Sequence, residues 1–435
     1  MENQRSILKN TDISLSLRFG FLGLGMGGSS IAAACADIST NVQNNRFPYS
    51  ALLVNTNRID LDKIDTINPN TQKMIIGSGK GAGRNIKLGE QMYQEDAEII
   101  GEAVQKQFSN TDFVWIVVGL GGGTGTGSVI EAIRTMMENG FKKRFGLIMT
   151  LPRSSEGQTV LNNALQRLQK INGAMTALGS IILVDNQKLY SHFSKNQPTA
   201  TVSEYLSYSN NFIAETLHEL NIVTSSFNPV GENHFDVSEF ENLIKTPGVL
   251  HFARFTSKAS ELDSAQSISH AGRLKDQINE GVLSEGYDLS DATRLAVSIL
   301  ANKPTANRLF NFEFVNAIES EVNELAPFAN EKPVAHYVYQ NKDISEVYFY
   351  AVFAGLKLPK RVGELVQEGK RLARMVEEKQ SNEVDPFADM ESLSPSNEQQ
   401  DDDVSFDDLF GDKKTKTADD KKPAKDDDFA RMFGN

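Results

Sequence analysis

Short apolar runs alternate with amphipathic segments through residues 15–201 of the chain. Examples of the apolar runs are LRFGFLGLG, DFVWIVVG and FGLIMTLP, each of which has the length of a buried strand. The segments between them place apolar residues at helical spacing. Strands separated by helices in this way predict a parallel sheet that helices cover on both faces. Ligands bind such sheets beyond the carboxyl ends of the strands, where the loops meet.

The rest of the chain predicts a second, smaller unit and a tail. Residues 201–223 read as one long helix, and a mixture of helical and strand-like segments follows it. We therefore predict an α/β protein with a parallel-sheet Rossmann-like domain, a long central helix, a smaller α+β second domain, a C-terminal helix and a disordered tail. The predicted bounds are 1–201 for the Rossmann-like domain, 202–234 for the central helix and its connection, 235–358 for the second domain, 359–379 for the C-terminal helix and 380–435 for the tail.

The charge of the chain is concentrated in its tail. The net charge is −13, and residues 380–435, with 16 acidic and 7 basic side chains, account for −9 of it. An acidic balance argues against non-specific nucleic-acid binding by the whole protein. Few apolar residues follow residue 380, which is typical of disorder. The ending DDDFARMFGN is either solvated or a short peptide that binds a partner, and both alternatives stay open.

Three features favour a cytoplasmic protein. No apolar run reaches the roughly 18 residues that a membrane-spanning helix needs. The first residues lack the apolar core of a signal peptide. The single cysteine, Cys35, excludes an internal disulfide.

Three glycine-rich loops lie where the predicted strands end. They read GLGMGGSS at residues 23–30, GSGKGAGRN at residues 77–85 and GGGTGTG at residues 121–127. Glycine lets a backbone approach a ligand closely, and the free N–H groups at a helix start attract anions. A purely structural turn is the alternative, but residues 121–127 hold more glycine than a turn needs. The loops therefore predict a phosphate-binding site.

The loops favour a polyphosphate over a dinucleotide. Gly23, Gly25 and Gly28 match the G-x-G-x-x-G pattern of dinucleotide-binding folds. The next strand, however, ends at Asn55 and Asn57, where that pattern requires an acid for the ribose. The sequence has no G-x-x-x-x-G-K-[ST] stretch, which excludes a P-loop. An NAD-dependent oxidoreductase remains as a remote alternative.

The loop GGGTGTGS resembles the signature loop of the tubulin/FtsZ superfamily of GTPases. GLGMGGSS, VNTN, GKGAGRN and TLPRSSEG resemble, in the same order, that family's other phosphate and ribose loops. The resemblance implies binding of GTP and GDP, hydrolysis of GTP to GDP and phosphate, and Mg²⁺ as the ion that accompanies a triphosphate. It assigns no protein residue to a metal, because no dedicated ligand cluster is evident. The residues that it implies at the phosphates and ribose are Gly23, Gly25, Gly27, Gly28, Ser29, Asn55, Gly81, Ala82, Gly83, Arg84, Asn85, Gly121, Gly122, Gly123, Thr124, Gly125, Thr126, Gly127, Pro152 and Glu156.

Three further residues are implied at the base. VDNQKLY is similar to the base-reading segment of tubulin, which places Asn186 on guanine. An asparagine amide presents a donor and an acceptor, so it matches the edge of guanine. Tyr208 and Asn211 share a face of the long helix, where the family stacks an aromatic ring on guanine and reads it with Asn or Asp. Ordinary exposed polar groups of a helix are the alternative.

Hydrolysis in this family needs acids from a neighbouring subunit. ENHFDVSEFENL resembles the N-x-D-F-x-D pattern of FtsZ, with Glu in place of the second Asp. The resemblance makes Asp236 and Glu239 the catalytic residues, which would orient a water or a cation at the γ-phosphate. Acids are also common in the first turn of a helix because they complement its dipole, and that alternative stays open.

The charged C-terminal helix and the mixed tail resemble the TubZ (RepX) proteins that partition plasmids in bacilli. The resemblance implies dynamic GTP-dependent filaments of the chain itself, which grow and shrink by treadmilling. It also implies that the tail engages a TubR-like DNA-binding adaptor on the plasmid centromere, with little direct binding to bare DNA and no membrane partner. The scaffold of an FtsZ-like cell-division ring is the alternative.

Overall fold

The computed structural model describes residues 14–40, 46–231, 235–262, 267–339 and 345–381. The tail predicted at 380–435 lies outside the described residues except for residues 380 and 381, which belong to the last helix. One compact unit ends at Lys370, and residues 371–381 continue the last helix. None of the helices in the described ranges is long and apolar enough to cross a membrane.

The described residues form one sheet of eleven strands, in the order β3-β2-β1-β4-β5-β6-β8-β11-β9-β10-β7. The strands are β1 (Phe19–Leu24), β2 (Ser50–Asn55), β3 (Thr71–Ile75), β4 (Phe113–Gly119), β5 (Phe145–Leu151), β6 (Ser180–Asp185), β7 (Asn228–Pro229), β8 (Gly248–Lys258), β9 (Arg294–Asn302), β10 (Val334–Tyr339) and β11 (Glu346–Leu356).

Helices connect most of these strands. In chain order they are α1 (Gly25–Ala36), α2 (Arg58–Asp62), α3 (Ile86–Glu95), α4 (Ala97–Phe108), α5 (Thr124–Glu138), α6 (Gln158–Gly173), α7 (Asn186–Asn196), α8 (Val202–Ile222), α9 (Val237–Ile244), α10 (Ser267–Glu280), α11 (Lys303–Leu309), α12 (Phe312–Leu325) and α13 (Lys360–Ser381).

Strands β1 to β6 are all parallel, which confirms the predicted Rossmann-like sheet. β1, β4, β5 and β6 are buried along almost their whole length, as expected for strands covered on both faces. Because the strands run in one direction, the loops that follow them share one side of the sheet. We call it the carboxyl edge, defined by Leu24, Asn55, Gly119, Leu151 and Asp185.

The second half of the chain extends the same sheet. β8 continues it by pairing in parallel with the first residues of β6, and β11 pairs antiparallel with both β8 and β9. One apolar cluster includes Phe19 of β1, Leu217 of α8, Phe252 of β8 and Tyr350 of β11. The core is thus continuous across residues 201 and 235, and the bounds predicted for the domains stay predictions.

Helix α8 lies at the centre of this core. It begins after Thr201, whose hydroxyl and backbone N–H form a reciprocal capping box with Glu204. The second half of the helix is buried almost all round. Within it, Nδ1 of His218 and Nδ2 of Asn221 lie 2.9 and 3.0 Å from the hydroxyl oxygen of Tyr49, which is the residue just before β2. The helix therefore contacts both halves of the chain through apolar side chains, and it contacts the first half through hydrogen bonds as well.

Strand β9 has no counterpart in the sequence prediction. Its sequence RLAVSILAN is buried from Leu295 onwards, because β9 lies between β10 and β11. A continuous apolar run that contains alanine and leucine does not distinguish a strand from a buried helix. Only the pairing with two neighbours defines it.

Candidate functional site

Hydrogen bonds bring three loops of the carboxyl edge together. The N–H of Gly81 donates to the carbonyl of Thr56 at 2.8 Å, and the N–H of Gly123 donates to the carbonyl of Gly83 at 3.0 Å. The hydroxyls of Thr56 and Thr124 lie 2.6 Å apart. The loops that follow β2, β3 and β4 therefore form one continuous surface.

Helices α1 and α5 begin inside the glycine loops. α1 begins at Gly25 and α5 at Thr124, four residues before the helix starts that we read at Ser29 and Ser128, so that part of the prediction is wrong. Neither helix has a side-chain cap, whereas α7, which begins at the same edge, is capped by Asp185. The first N–H groups of α1 and α5 thus lack side-chain partners, and an anion at this position would satisfy them.

Several of the glycines are required by close packing rather than by a ligand. A methyl group added to Gly28 would lie 2.1 Å from the carbonyl oxygen of Val117. One added to Gly127 would lie 2.4 Å from that of Ile86, and one added to Gly125 would lie 2.7 Å from that of Leu24. The helices begin early because these glycines let backbones touch. Gly23 and Gly123 are likewise crowded by backbone atoms, whereas Gly121 is crowded by the side chain of Val160.

Three other glycines face open space. A methyl group added to Gly122 or Gly83 would meet no atom within 4 Å, and one added to Gly27 would meet only Gly119, at 3.8 Å. All three are exposed. Gly83 has a φ of +57°, which by itself favours glycine. Gly27 and Gly122 have no such backbone reason, so they are the positions where the close approach of a ligand best explains glycine.

Two buried polar side chains lie beside these loops. Asn55 accepts a hydrogen bond from the N–H of Asn57, and its own Nδ2 is buried without a partner among the described residues. Such a group fits a ligand contact, because a buried amide without a partner is costly. Ser29 is also buried, but its hydroxyl donates to the carbonyl of Gly23 at 3.2 Å. Its polar group is therefore used within the loop.

Helix α6 fixes two of the loops, a role that the sequence did not indicate. Nδ2 of Asn163 donates to the carbonyls of Arg84 and Gly121, at 2.8 and 3.0 Å. Next to them, the side chain of Asn85 caps α3, while Ala82 is buried. The side chain of Thr126 accepts a hydrogen bond from the N–H of Gly121. Asn85 and Thr126 thus shape the loops through their side chains.

The loop predicted to contact the ribose is a short turn after β5. Glu156 accepts a hydrogen bond from the N–H of Arg153 at 2.9 Å and lies 3.6 Å from its guanidinium. That guanidinium lies over the ring of Tyr190, 4.5 Å from its centre. Pro152, just before it, is buried. No sequence pattern singles out Arg153 or Tyr190, because their contact joins the loop after β5 to helix α7.

The predicted base reader is the first residue of α7. Asn186 follows Asp185, whose carboxylate caps the helix by accepting a hydrogen bond from Gln187. The carbonyl of Asn186 accepts a hydrogen bond from Tyr205 at 3.2 Å. Burial raises the pKa of Tyr205, so its phenol stays protonated and can donate. The position of Asn186 is therefore held from both sides.

Tyr208 and Asn211 lie in the first half of α8. The ring of Tyr208 stacks on Phe212 with centres 5.6 Å apart and lies 4.8 Å from Phe193 of α7. Asn211 is exposed. The contacts of Tyr208 show packing between α7 and α8, and its stacking on a base stays a prediction.

The two predicted catalytic acids form a capping box. Oδ1 of Asp236 accepts a hydrogen bond from the N–H of Glu239, and Oε2 of Glu239 accepts one from the N–H of Asp236. Both side chains are half-buried. One oxygen of each acid therefore caps the start of the helix, as the structural alternative expects. A catalytic role would use the other oxygen of each carboxylate.

Helix α9, which carries these acids, ends at the far side of the sheet. The hydroxyl of Ser180, the first residue of β6, donates to the carbonyls of Leu243 and Thr246. β6 runs from there to Asp185, a distance of roughly 17 Å for six residues. The last turn of α9 thus packs opposite the carboxyl edge. In the described ranges, no cluster of three or more His, Cys, Asp or Glu could hold a metal.

A parallel sheet with these loops and helix starts at one edge, a long central helix and a mixed second half is the architecture of a tubulin-like GTPase. Residues 19–194 match the family described as "Tubulin/FtsZ family, GTPase domain", and residues 233–360 match "Tubulin-like protein TubZ, C-terminal domain". The chain belongs to the TubZ family of tubulin-like proteins, which confirms the resemblance seen in its loops.

The similarity extends over most of the chain. The tubulin-like protein TubZ of Bacillus cereus is 44% identical over 381 residues, which cover 85% of this chain and 87% of the relative. A GTPγS-form protofilament of TubZ from Bacillus thuringiensis serovar israelensis has the same fold, with a TM-score of 0.73 at 22% identity over 88% of this chain and 99% of that one. GDP-form protofilaments of the same protein give 0.70 at 19% identity, over 90% and 98%. The chain is thus a GTPase with the tubulin fold.

Proposed function

We propose that this chain polymerises end to end into dynamic filaments and hydrolyses GTP where one copy meets the next. The observation that carries the proposal is the separation between the nucleotide loops at the carboxyl edge and the helix α9, whose last turn packs at the opposite edge. A second copy stacked on the carboxyl edge would bring its own α9 to the phosphates. The protofilaments formed by relatives support this arrangement.

The residues at the carboxyl edge would divide the work of binding. The uncapped starts of α1 and α5 and the open positions Gly27 and Gly122 would receive the phosphates. Glu156 would contact the ribose and Asn186 the guanine. Asp236 of the next copy, together with Glu239, would orient the attacking water, since catalysis of phosphoryl transfer is mainly positioning and charge stabilisation.

We also propose that Mg²⁺ accompanies the triphosphate. Because the described residues hold no cluster of metal-binding side chains, phosphate oxygens and water would supply most of its ligands. Chelation by EDTA should then abolish hydrolysis, and added Mg²⁺ should restore it. Hydrolysis that persists in EDTA would show that the ion is dispensable.

The first experiment records light scattering and phosphate release together after GTP or ATP is added. Scattering should rise with GTP alone, and phosphate release should climb steeply above a threshold protein concentration, because each site needs two copies. Phosphate release that stays proportional to protein concentration from the lowest dilution would show that one copy hydrolyses GTP unaided.

We propose that the filaments partition plasmid DNA in the bacterial cytoplasm, through a TubR-like adaptor that binds the tail. The match of the second half to the TubZ C-terminal domain favours plasmid partition over a division ring. The acidic runs of the tail would resist bare DNA, while its lysines could meet an adaptor bound to DNA.

A chain that stops at residue 380 tests the role of the tail. It should still polymerise with GTP but no longer bind an adaptor–DNA complex in a sedimentation assay. Retained binding would place the adaptor contact elsewhere. Lost binding to a membrane anchor, with adaptor binding unchanged, would instead favour the division-ring alternative.

A further inference from the structure

Arg361 lies in the first turn of the C-terminal helix α13, yet its side chain is only 11% exposed. Its Nε lies 3.4 Å from Oδ2 of Asp185, whose own side chain is 8% exposed. A buried ion pair of this kind needs a reason, because removing charges from water is costly. Glu364, the other acid near Arg361, is 65% exposed, so pairing with it does not require a buried guanidinium.

The same guanidinium also contacts the loop after β5. Nη2 of Arg361 lies 3.5 Å from the carbonyl of Pro152 and 3.5 Å from the hydroxyl of Ser154. A guanidinium has five N–H donors in a planar fork. One side chain can therefore reach the ribose loop and the end of β6 at once, which the single ammonium group of a lysine would do poorly.

Asp185 links Arg361 to the residue predicted to contact the base. Its Oδ1 caps α7 by accepting a hydrogen bond from Gln187 at 2.9 Å, while Oδ2 faces Arg361. Asn186, the first residue of α7, lies between Asp185 and Gln187 in the chain. An arginine that fixes the carboxylate thus fixes the start of the helix and the residue predicted to read guanine.

The beginning of α13 is itself anchored to the same place. The N–H of Lys360 donates to the carbonyl of Gly286, and the N–H of Asp185 donates to the carbonyl of Leu283, both at 2.9 Å. The segment 283–286 thus holds Asp185 and the residue next to Arg361. Backbone hydrogen bonds therefore fix the start of α13 beside the carboxyl edge, in addition to the ion pair.

We propose that Arg361 is a positioning residue of the nucleotide site, through which the C-terminal helix holds the ribose loop and the base reader in register. The inference rests on the proposed guanine-nucleotide site at the carboxyl edge. It predicts that a displacement of α13 weakens the contacts to the base and the ribose but not those to the terminal phosphate.

The test compares full-length Arg361→Ala with the wild type below the polymerisation threshold. Dissociation constants are measured for GTP, GDP and ATP by calorimetry. We expect the affinities for GTP and GDP to fall together, by roughly tenfold or more, since a displaced contact group has effects of that size. The preference for GTP over ATP should also fall. A purely structural role would lower the melting temperature without changing these ratios.

Glu364→Gln is the matched control, because it removes the exposed partner of the same guanidinium. It should bind all three nucleotides as the wild type does. If Arg361→Ala does not fold, Arg361→Gln, which keeps much of the side-chain length, takes its place. Wild-type affinities for GTP and GDP in the folded variant, or a loss for GTP alone, would overturn the inference. A wild-type chain that binds no GTP would instead overturn the proposed function.

Discussion

Two adjacent glycines of α1 have opposite surroundings. Gly28 packs so closely that an added methyl group would lie 2.1 Å from the carbonyl of Val117, whereas Gly27 is exposed with no atom closer than 3.8 Å to such a group. The sequence pattern treats both as parts of one phosphate loop. The structure indicates that Gly28 is required for folding and that Gly27 is required only if a ligand approaches it.

Alanine at these two positions should therefore have opposite effects. Without nucleotide, Gly27→Ala should raise stability by about 0.5–1 kcal/mol, because alanine is the better helix former. It should also weaken GTP binding, because its methyl group would point into the ligand space. Gly28→Ala should lower stability by about 1–3 kcal/mol through overpacking. Urea unfolding and nucleotide titration measure both effects, and unchanged GTP affinity in Gly27→Ala would remove Gly27 from the site.

Asp236 caps α9 and is proposed to be catalytic, and a pair of substitutions can separate the observed role from the proposed one. Asparagine keeps the side-chain oxygen that caps α9 and removes only the charge, whereas alanine removes both. Asp236→Asn should keep wild-type stability and GTP binding, lose most of the GTPase rate and form longer filaments. Asp236→Ala should show the same losses and also lower stability by about 1 kcal/mol, the usual effect of a lost cap.

Steady-state phosphate release and electron microscopy measure these outcomes. Wild-type hydrolysis by Asp236→Asn would show that the carboxylate serves only the helix start. Short, unstable filaments from either variant would also argue against a catalytic role.

At the scale of elements, α6 holds two of the glycine-rich loops through one side chain. Asn163→Ala would remove the donor that binds the carbonyls of Arg84 and Gly121. We expect the loss of about 1 kcal/mol in stability that is typical of a hydrogen bond, together with a several-fold loss of affinity for GTP. Asn162→Ala, an exposed neighbour on the same helix, is the control. Equal affinities in the two variants would mean that the loops keep their shape without α6.

Elements differ in how well the sequence predicts them. The central helix was expected at residues 201–223 and is found at Val202–Ile222, because its apolar spacing and its capping residue Thr201 are both local signals. β9 was missed because its identity depends on pairing with β10 and β11. The sequence does not show the early starts of α1 and α5 for a similar reason, since the close backbone contacts that require glycine at Gly28, Gly125 and Gly127 come from other elements.

At the scale of the whole molecule, three buried histidines predict how stability depends on pH. Burial lowers the pKa of His218, His251 and His336 from 6.5 to about 4. Between these values the unfolded chain binds protons that the folded protein excludes. The free energy of unfolding should therefore fall as the pH is lowered below about 6.5, by up to about 4 kcal/mol per pH unit for three protons.

Urea unfolding at several pH values between 7.5 and 5 tests this dependence. His218→Gln should reduce the slope of the unfolding free energy against pH by about 1.4 kcal/mol per pH unit, which is the contribution of one proton. His192→Gln, at an exposed position, should leave the slope unchanged. A stability that is flat from pH 7 to pH 5 in the wild type would contradict the prediction.

The sequence by itself determined the class of the sheet and the glycine-rich loops at its carboxyl edge, and it predicted a phosphate ligand for those loops. Those features depend on local periodicity and on short motifs such as GGGTGTGS, both of which involve only residues close together in the chain. Charge and composition likewise pointed to an acidic tail.

Only the tertiary structure decided which glycines are crowded by packing and which face open space, because that depends on whether a different element lies against each one. It also placed Arg361 beside Asp185 and the end of α9 opposite the glycine-rich loops. Such contacts join residues that are far apart in the chain. Their distance is set by how helices and strands pack, and no local pattern in the sequence records it.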